Sequence, residues 1–174
     1  IFEDTTSKLT IEDVSKIDDF KKNKKEIINI GFSNSSFWGK FKIKNKSDEK
    51  TGFLSFNNYQ QNDVRLFQKT KKGWQEKILG DVYSFYKRDV MSKPMVFVIK
   101  PQADSIYYLR VKGIISQINL SLSTPIHFVA EQTHEDYILG IFFGLMITMA
   151  IYNFLVFVST RSKSNLLYVG YVIS

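Results

Sequence analysis

The sequence predicts an antiparallel β-sandwich followed by a membrane-spanning helix. Three observations carry this. From Ile28 to Ser123 the apolar residues recur with a period of two in a series of short runs separated by turn signals. No helical crossover separates any two of those runs, which argues against a parallel α/β fold. From Tyr137 to Val158, 22 residues pass without a charge, "YILGIFFGLMITMAIYNFLVFV".

The chain has 174 residues, a formal charge of +7 and no cysteine, which excludes disulfides and thiolate metal sites. All but two of its 24 Lys and Arg precede Gly113; only Arg161 and Lys163 follow it. A charged, soluble-looking part therefore precedes an apolar one. The opening residues lack the basic n-region and apolar h-region of a signal peptide.

Residues 1–27 are polar, with Ile11, Val14, Ile17 and Phe20 spaced at threes. Thr10 before them and Asp13 three positions on resemble a capping box, so a short helix or turn is expected. "KKNKKE" reads as a solvated loop. In "FWGKFKIKN", Phe37, Gly39, Phe41 and Ile43 share one face; Trp38, Lys40, Lys42 and Lys44 share the other. This is a strand, apolar inward and basic outward. "TGFLSFNN", "DVRLFQK" and "GWQEKIL" are the next strands, with "KKG" a turn before Trp74. "PMVFVIK" opens on Pro94, tolerated at a strand's first residue. "SIYYLRVKG" sets Tyr107, Leu109 and Val111 against Tyr108, Arg110 and Lys112. "INLSLS" sets Ile118, Leu120 and Leu122 against Asn119, Ser121 and Ser123. About eight strands in about a hundred residues is the pattern of a sandwich.

At about 1.5 Å per residue the uncharged helix is roughly 33 Å long, enough for a hydrocarbon core of about 30 Å. The basic loop "STRSKS" follows it directly, which puts that loop in the cytoplasm and the N-terminal part outside. "NLLYVGYVIS" begins a second apolar segment that covers only half a bilayer, so the chain is expected to continue. Gly140 and Gly144 permit close helix contact. Asn153 suits a hydrogen bond within a helix bundle better than transport.

Several segments together resemble one family. They are "EDTTSKLTIEDV", "NIGFSNSSFWGKFKIKN", the Gly80–Asp81 pair, "YYLRV", and "YILGIFFGLMITMAIYNFLVFVSTRSKSNLLYVGYV". The sequence is similar to bacterial seven-transmembrane receptors with diverse intracellular signalling modules. Residues 1–128 resemble their type-2 extracellular domain and residues 137–174 the start of their membrane bundle. The resemblance implies a jelly-roll sandwich like that of carbohydrate-binding modules, held outside a bacterial cytoplasmic membrane on its periplasmic side. It also implies a signal passed through seven helices to a cytoplasmic output domain. The expected organisation is a sensor domain at 1–128, a juxtamembrane linker at 129–136, a first span at 137–158, a cytoplasmic loop at 159–164 and the start of a second span at 165–174. Gly39 and Lys40 stand where the family often has Leu and Arg, and an ammonium does not replace a guanidinium in bidentate recognition.

The expected ligand-binding group is Trp38, Lys40, Tyr108 and Arg110, with Asp81 and Arg88 added from "GDVYSFYKRDV". If the strands of Trp38 and Tyr108 are neighbours, an aromatic and basic patch results, suited to a sugar or an anionic envelope ligand. The structural alternatives are a Trp packed under a loop, solvated lysines, and an Asp81–Arg88 ion pair. His127, Glu131, His134, Glu135 and Asp136 have the residue types of a metal site, but a polar juxtamembrane segment explains them as well. No Ser/His/Asp arrangement, phosphate loop or paired catalytic carboxylates stand out, so neither an enzyme nor a cofactor is expected in this segment. The lysines are scattered over many strands, against nucleic-acid binding. The lipid bilayer is one expected partner and another receptor domain, of the same or a different chain, a second. A membrane-anchored carbohydrate-binding module without signalling and a protein-interaction module are the alternative functions.

Overall fold

A computed structural model describes residues 1–23, 27–46, 48–57, 61–71, 73–101, 105–113 and 117–173. Two units follow one another, Ile1–Pro125 and Ile126–Ser174.

The first unit has nine strands among the described residues, in two antiparallel sheets. They are β1 (Phe2–Asp4), β2 (Ile27–Asn29), β3 (Ser36–Ile43), β4 (Gly52–Phe56), β5 (Asp63–Thr70), β6 (Gly73–Leu79), β7 (Met95–Ile99), β8 (Ser105–Lys112) and β9 (Gln117–Ser123). The five-stranded sheet runs β1-β3-β8-β5-β6 and the four-stranded sheet β2-β9-β4-β7. From β2 to β5 successive strands alternate between the sheets, the jelly-roll habit.

The period-two reading assigns the faces as the structure does. Phe37, Ile43, Tyr107, Leu109 and Val111 point inward and meet Leu54, Phe56, Met95, Phe97, Ile99 and Ile118 of the other sheet. Burying these side chains, at about 1.5–3 kcal/mol each for the large aliphatic and aromatic ones, is the main force holding the sheets together. β1 lay outside the sequence reading, because three residues show no period.

The expected helix is a single turn, α1 (Ile11–Val14). Its capping box is complete: Asp13 N donates to Thr10 Oγ1 at 3.4 Å, and the Asp13 carboxylate accepts from Thr10 N at 3.0 Å. Those bonds hold the Asp13 carboxyl below its usual pKa, Thr10's hydroxyl contributing most. Ile11 and Val14 are buried, while Ile17 and Phe20 follow in irregular chain.

The second unit is helical. α2 (Pro125–Thr160) is longer than the expected span, because the polar residues 129–136 continue the same helix instead of forming a separate linker. Pro125 stands at the helix start, where its missing N–H costs nothing. The helix is long and apolar enough to cross a membrane, with mean hydropathy 2.2 over its most apolar stretch. Asn153 Nδ2 donates to the Met149 carbonyl at 2.9 Å, within its own helix. α2 ends where Arg161 turns left-handed at φ 51°, and α3 (Lys163–Ile173) begins two residues later.

Candidate functional site

The outer face of the five-stranded sheet carries the expected patch. β3 and β8 pair directly, with Trp38 opposite Arg110 and Lys40 opposite Tyr108. β5 continues the rows, Arg65 beside Arg110 and Phe67 beside Tyr108. Four of the six expected residues are therefore brought together by register alone.

They do not form an open platform. Trp38 is 1% exposed and Tyr108 5%, because Ile11 and Val14 of α1 lie over this face and complete a second apolar cluster with Phe67. Trp38 stacks on Phe67 at 5.6 Å between ring centroids, and Trp74 meets Tyr108 edge-on at 5.6 Å. The expectation of an exposed aromatic surface is corrected here. Period two tells which face a residue takes, not what covers that face. Lys40 remains exposed, its ammonium 5.7 Å from the Phe20 ring and 5.8 Å from the Tyr108 ring.

Asp4 fastens the covering segment. Its carboxylate accepts from Thr6 N at 3.0 Å, Thr6 Oγ1 at 2.6 Å and Leu9 N at 3.0 Å. Burial works against the charge, but the Thr6 hydroxyl and the backbone donors of Leu9, Ser7 and Thr6 outweigh it and hold the carboxyl below its usual range. Ser7 adopts φ 55°, a strained value for a residue with a Cβ, and its carbonyl accepts from Arg110 Nη2 at 3.0 Å.

Arg110 leads into a charge network that sequence reasoning missed. Its Nη1 lies 3.6 Å from Asp63 Oδ2. Arg65 Nε bridges both oxygens of Asp63 at 2.9 and 3.0 Å, and its Nη1 reaches Glu76 at 3.0 Å. Tyr83 Oη donates to Asp63 at 3.2 Å. The hydrogen bonds that Arg65 donates to Asp63 above all raise its pKa further. Two cations and two carboxylates balance, so the network holds β5, β6, β8 and the N-terminal segment together. "DVRLFQK" reads as a strand, but nothing in the sequence pairs Arg65 with Asp63 and Arg110.

Asp81 and Arg88 lie apart from this group, on the stretch after β6 that holds a 3-10 turn at Phe85–Lys87. No ion pair joins them among the described residues. Asp81 is exposed; Arg88 packs over the Phe85 ring at 4.8 Å and donates to the Ser92 carbonyl at 3.4 Å. Among the described residues no three metal-ligating side chains come together, and His127, Glu131, His134, Glu135 and Asp136 are spread along α2.

Comparison with known proteins bears on both units. The family model described as 7TMR-DISM extracellular 2 matches residues 1–124. The model described as 7TM diverse intracellular signalling matches residues 135–174. No curated protein matches the chain. The first match covers a sandwich with an apolar core of its own, and the second covers most of a helix apolar on every side. The chain is thus a membrane protein with an extracellular N-terminal domain, and it belongs to the seven-transmembrane receptors with diverse intracellular signalling.

Proposed function

We propose that this chain is the sensory end of a bacterial receptor in the cytoplasmic membrane. Its β-sandwich takes up a ligand outside the cytosol, and occupancy passes along α2 into the bundle and on to a cytoplasmic output domain. The observation that carries this reading is the unbroken helix Pro125–Thr160, which runs from the end of one matched segment into the other. A continuous helix transmits a shift or rotation at one end to the other, where a flexible linker would absorb it. In this reading the sandwich binds and does no chemistry of its own.

The ligand is an anionic or carbohydrate component of the envelope. Up to Gly113 the sequence holds 22 Lys and Arg against 14 Asp and Glu, a surplus of eight positive charges. Such a domain attracts anions over a Debye length of about 8 Å at physiological salt.

The topology is tested with cysteines, since the chain has none. Ser84→Cys lies in the sandwich unit and Ser164→Cys in α3, both at exposed positions. A membrane-impermeant maleimide added to intact spheroplasts should label Ser84→Cys at once and Ser164→Cys only after permeabilisation. The reverse order would exclude the proposed orientation, and with it the sensory role.

A further inference from the structure

Among the described residues, one side of the sandwich is not closed by strands. β1 pairs only with Ser36–Trp38, so among the described residues the edge of β3 away from β8 has no strand beside Gly39–Ile43. Among the described residues β2 pairs only with Gln117–Asn119, and none of them pairs with the same edge of β9 over Leu120–Ser123. Between these two edges a groove of about 550 Å³ enters the core and reaches Leu54 and Leu109. That volume is in the range of small-molecule sites, about 300–1,000 Å³. Its walls are apolar: Phe41, Ile43, Ile118 and Leu120, with Leu122, 51% exposed, also lining it.

Gly39 faces this groove. A glycine inside a strand costs about 0.5–1 kcal/mol relative to alanine and usually marks a bulge, a bend or a close approach. None of these applies. Its φ is not in the left-handed region, β3 stays in register with β8 through it, and a Cβ built there would meet only Leu109 Cβ, at 3.9 Å. The missing side chain leaves space that any larger residue would fill.

Charge decides what fits the space. Among the described residues, Lys21, Lys22 and Lys40 line the groove and no carboxylate does. All three lysines are exposed and none has an ion pair among the described residues. From these observations we infer that the groove beside Gly39 binds an amphipathic anion, its apolar body between the sheets and its carboxylate against Lys21 and Lys22. The inference gives the receptor reading above a ligand class. It concerns binding alone, so it stands or falls without any signalling measurement.

The test uses the full chain in neutral-lipid nanodiscs and dodecanoic acid bearing a photoreactive diazirine, with the matching dodecanol as the uncharged control. Irradiation should place adducts on groove residues such as Phe41, Leu120 and Leu122. Gly39→Leu should lower that labelling at least about tenfold, the equivalent of about 1.4 kcal/mol, while circular dichroism and melting stay unchanged. Lys21→Gln with Lys22→Gln should lower labelling by the acid several-fold and leave the alcohol unaffected. Leu122→Glu, an exposed change that puts a like charge in the groove lining, should also lower labelling by the acid and serves if Gly39→Leu fails to fold. Equal labelling by acid and alcohol, undiminished labelling in Gly39→Leu or Leu122→Glu, or adducts confined to α2 and α3 would each overturn the inference.

Discussion

Trp38 and Arg110 face each other across the β3–β8 ladder, with the guanidinium carbon 5.8 Å from the indole ring. The indole is sealed beneath α1, while the guanidinium reaches past it to Ser7 and Asp63. One residue is therefore core and the other a clasp, and substitutions should separate the two roles. Trp38→Ala should cost about 3–5 kcal/mol, the range for emptying a buried large aromatic site. Lys40→Ala, exposed on the same strand, should stay within about 0.5 kcal/mol. Both tryptophans lie in the sandwich unit. Denaturation followed by the fluorescence of Trp74 therefore compares the variants without interference from the helices. A Trp38→Ala protein as stable as wild type would mean that α1 does not seal this face.

Asp63 stands between two guanidiniums and should be the least replaceable member of its network. Asp63→Asn keeps the shape but removes the charge, leaving Arg65 and Arg110 next to each other with only Glu76 to balance them. Breaking such a partly buried pair from one side should cost about 2–4 kcal/mol. Replacing Arg110 by Gln in the same protein should recover part of that loss, a coupling of about 0.5–3 kcal/mol in a double-mutant cycle. Strict additivity would show that the 3.6 Å contact carries no energy.

How legible all this is in the sequence can be judged from particular residues. Period two set the facing of β3 and β8, because a strand buried on one side has no other way to place Phe37 and Leu109. Pairing of β3 with β8 could only be supposed, since more than sixty residues separate them. A cover over Trp38 stood as an alternative in the sequence, but not that α1 supplies it: the helix is one turn long, and its target is a tertiary choice. Gly39 was visible as a departure but meaningless alone. Its effect appears only once β1 and β2 are seen to stop short.

Asp4 gives the covering segment a pH dependence of known sign. Its folded pKa is depressed below the ordinary value of about 3.9, so its contribution is complete above that value and is lost as pH falls through the folded one. Asp4→Asn should therefore be less stable than wild type by about 1–3 kcal/mol at pH 7, consistent with lost charge-assisted hydrogen bonds. The gap should close as pH falls through the depressed folded pKa. Unfolding curves of both proteins across this range provide the check. A gap that does not change with pH would assign the effect to packing rather than to the carboxylate.

The glycine after β6 is fixed by a collision rather than by a turn preference. Gly80 sits at φ 150°, and a Cβ there would overlap the Asn62 carbonyl. Gly73, in the β5–β6 turn at φ 113°, has nothing within 4 Å of the same position. Both alanine variants carry backbone strain of order 1–3 kcal/mol, but only Gly80→Ala must also displace the chain at Asn62. Gly80→Ala should melt lower than Gly73→Ala. The same order should appear in expression yield, since a further loss of 1–2 kcal/mol is enough to change abundance several-fold. Equal melting would mean that the segment around Asn62 yields freely.

The unbroken helix makes the strongest claim about mechanism, because a rod and a tether respond differently to inserted residues. Glu131 lies within α2, ahead of its uncharged stretch. Four alanines inserted after Glu131 add about one turn, 6 Å of length and some 40° of rotation, and keep the helix. Gly-Gly-Ser-Gly at the same place adds as many residues but breaks its continuity, each glycine costing about 1 kcal/mol of helix propensity. In a receptor carrying its output domain, the alanine insertion should keep a ligand response, shifted in basal level. The glycine insertion should abolish the response while binding by the sandwich is retained. A response preserved in both would show that occupancy of the sandwich does not travel along this helix.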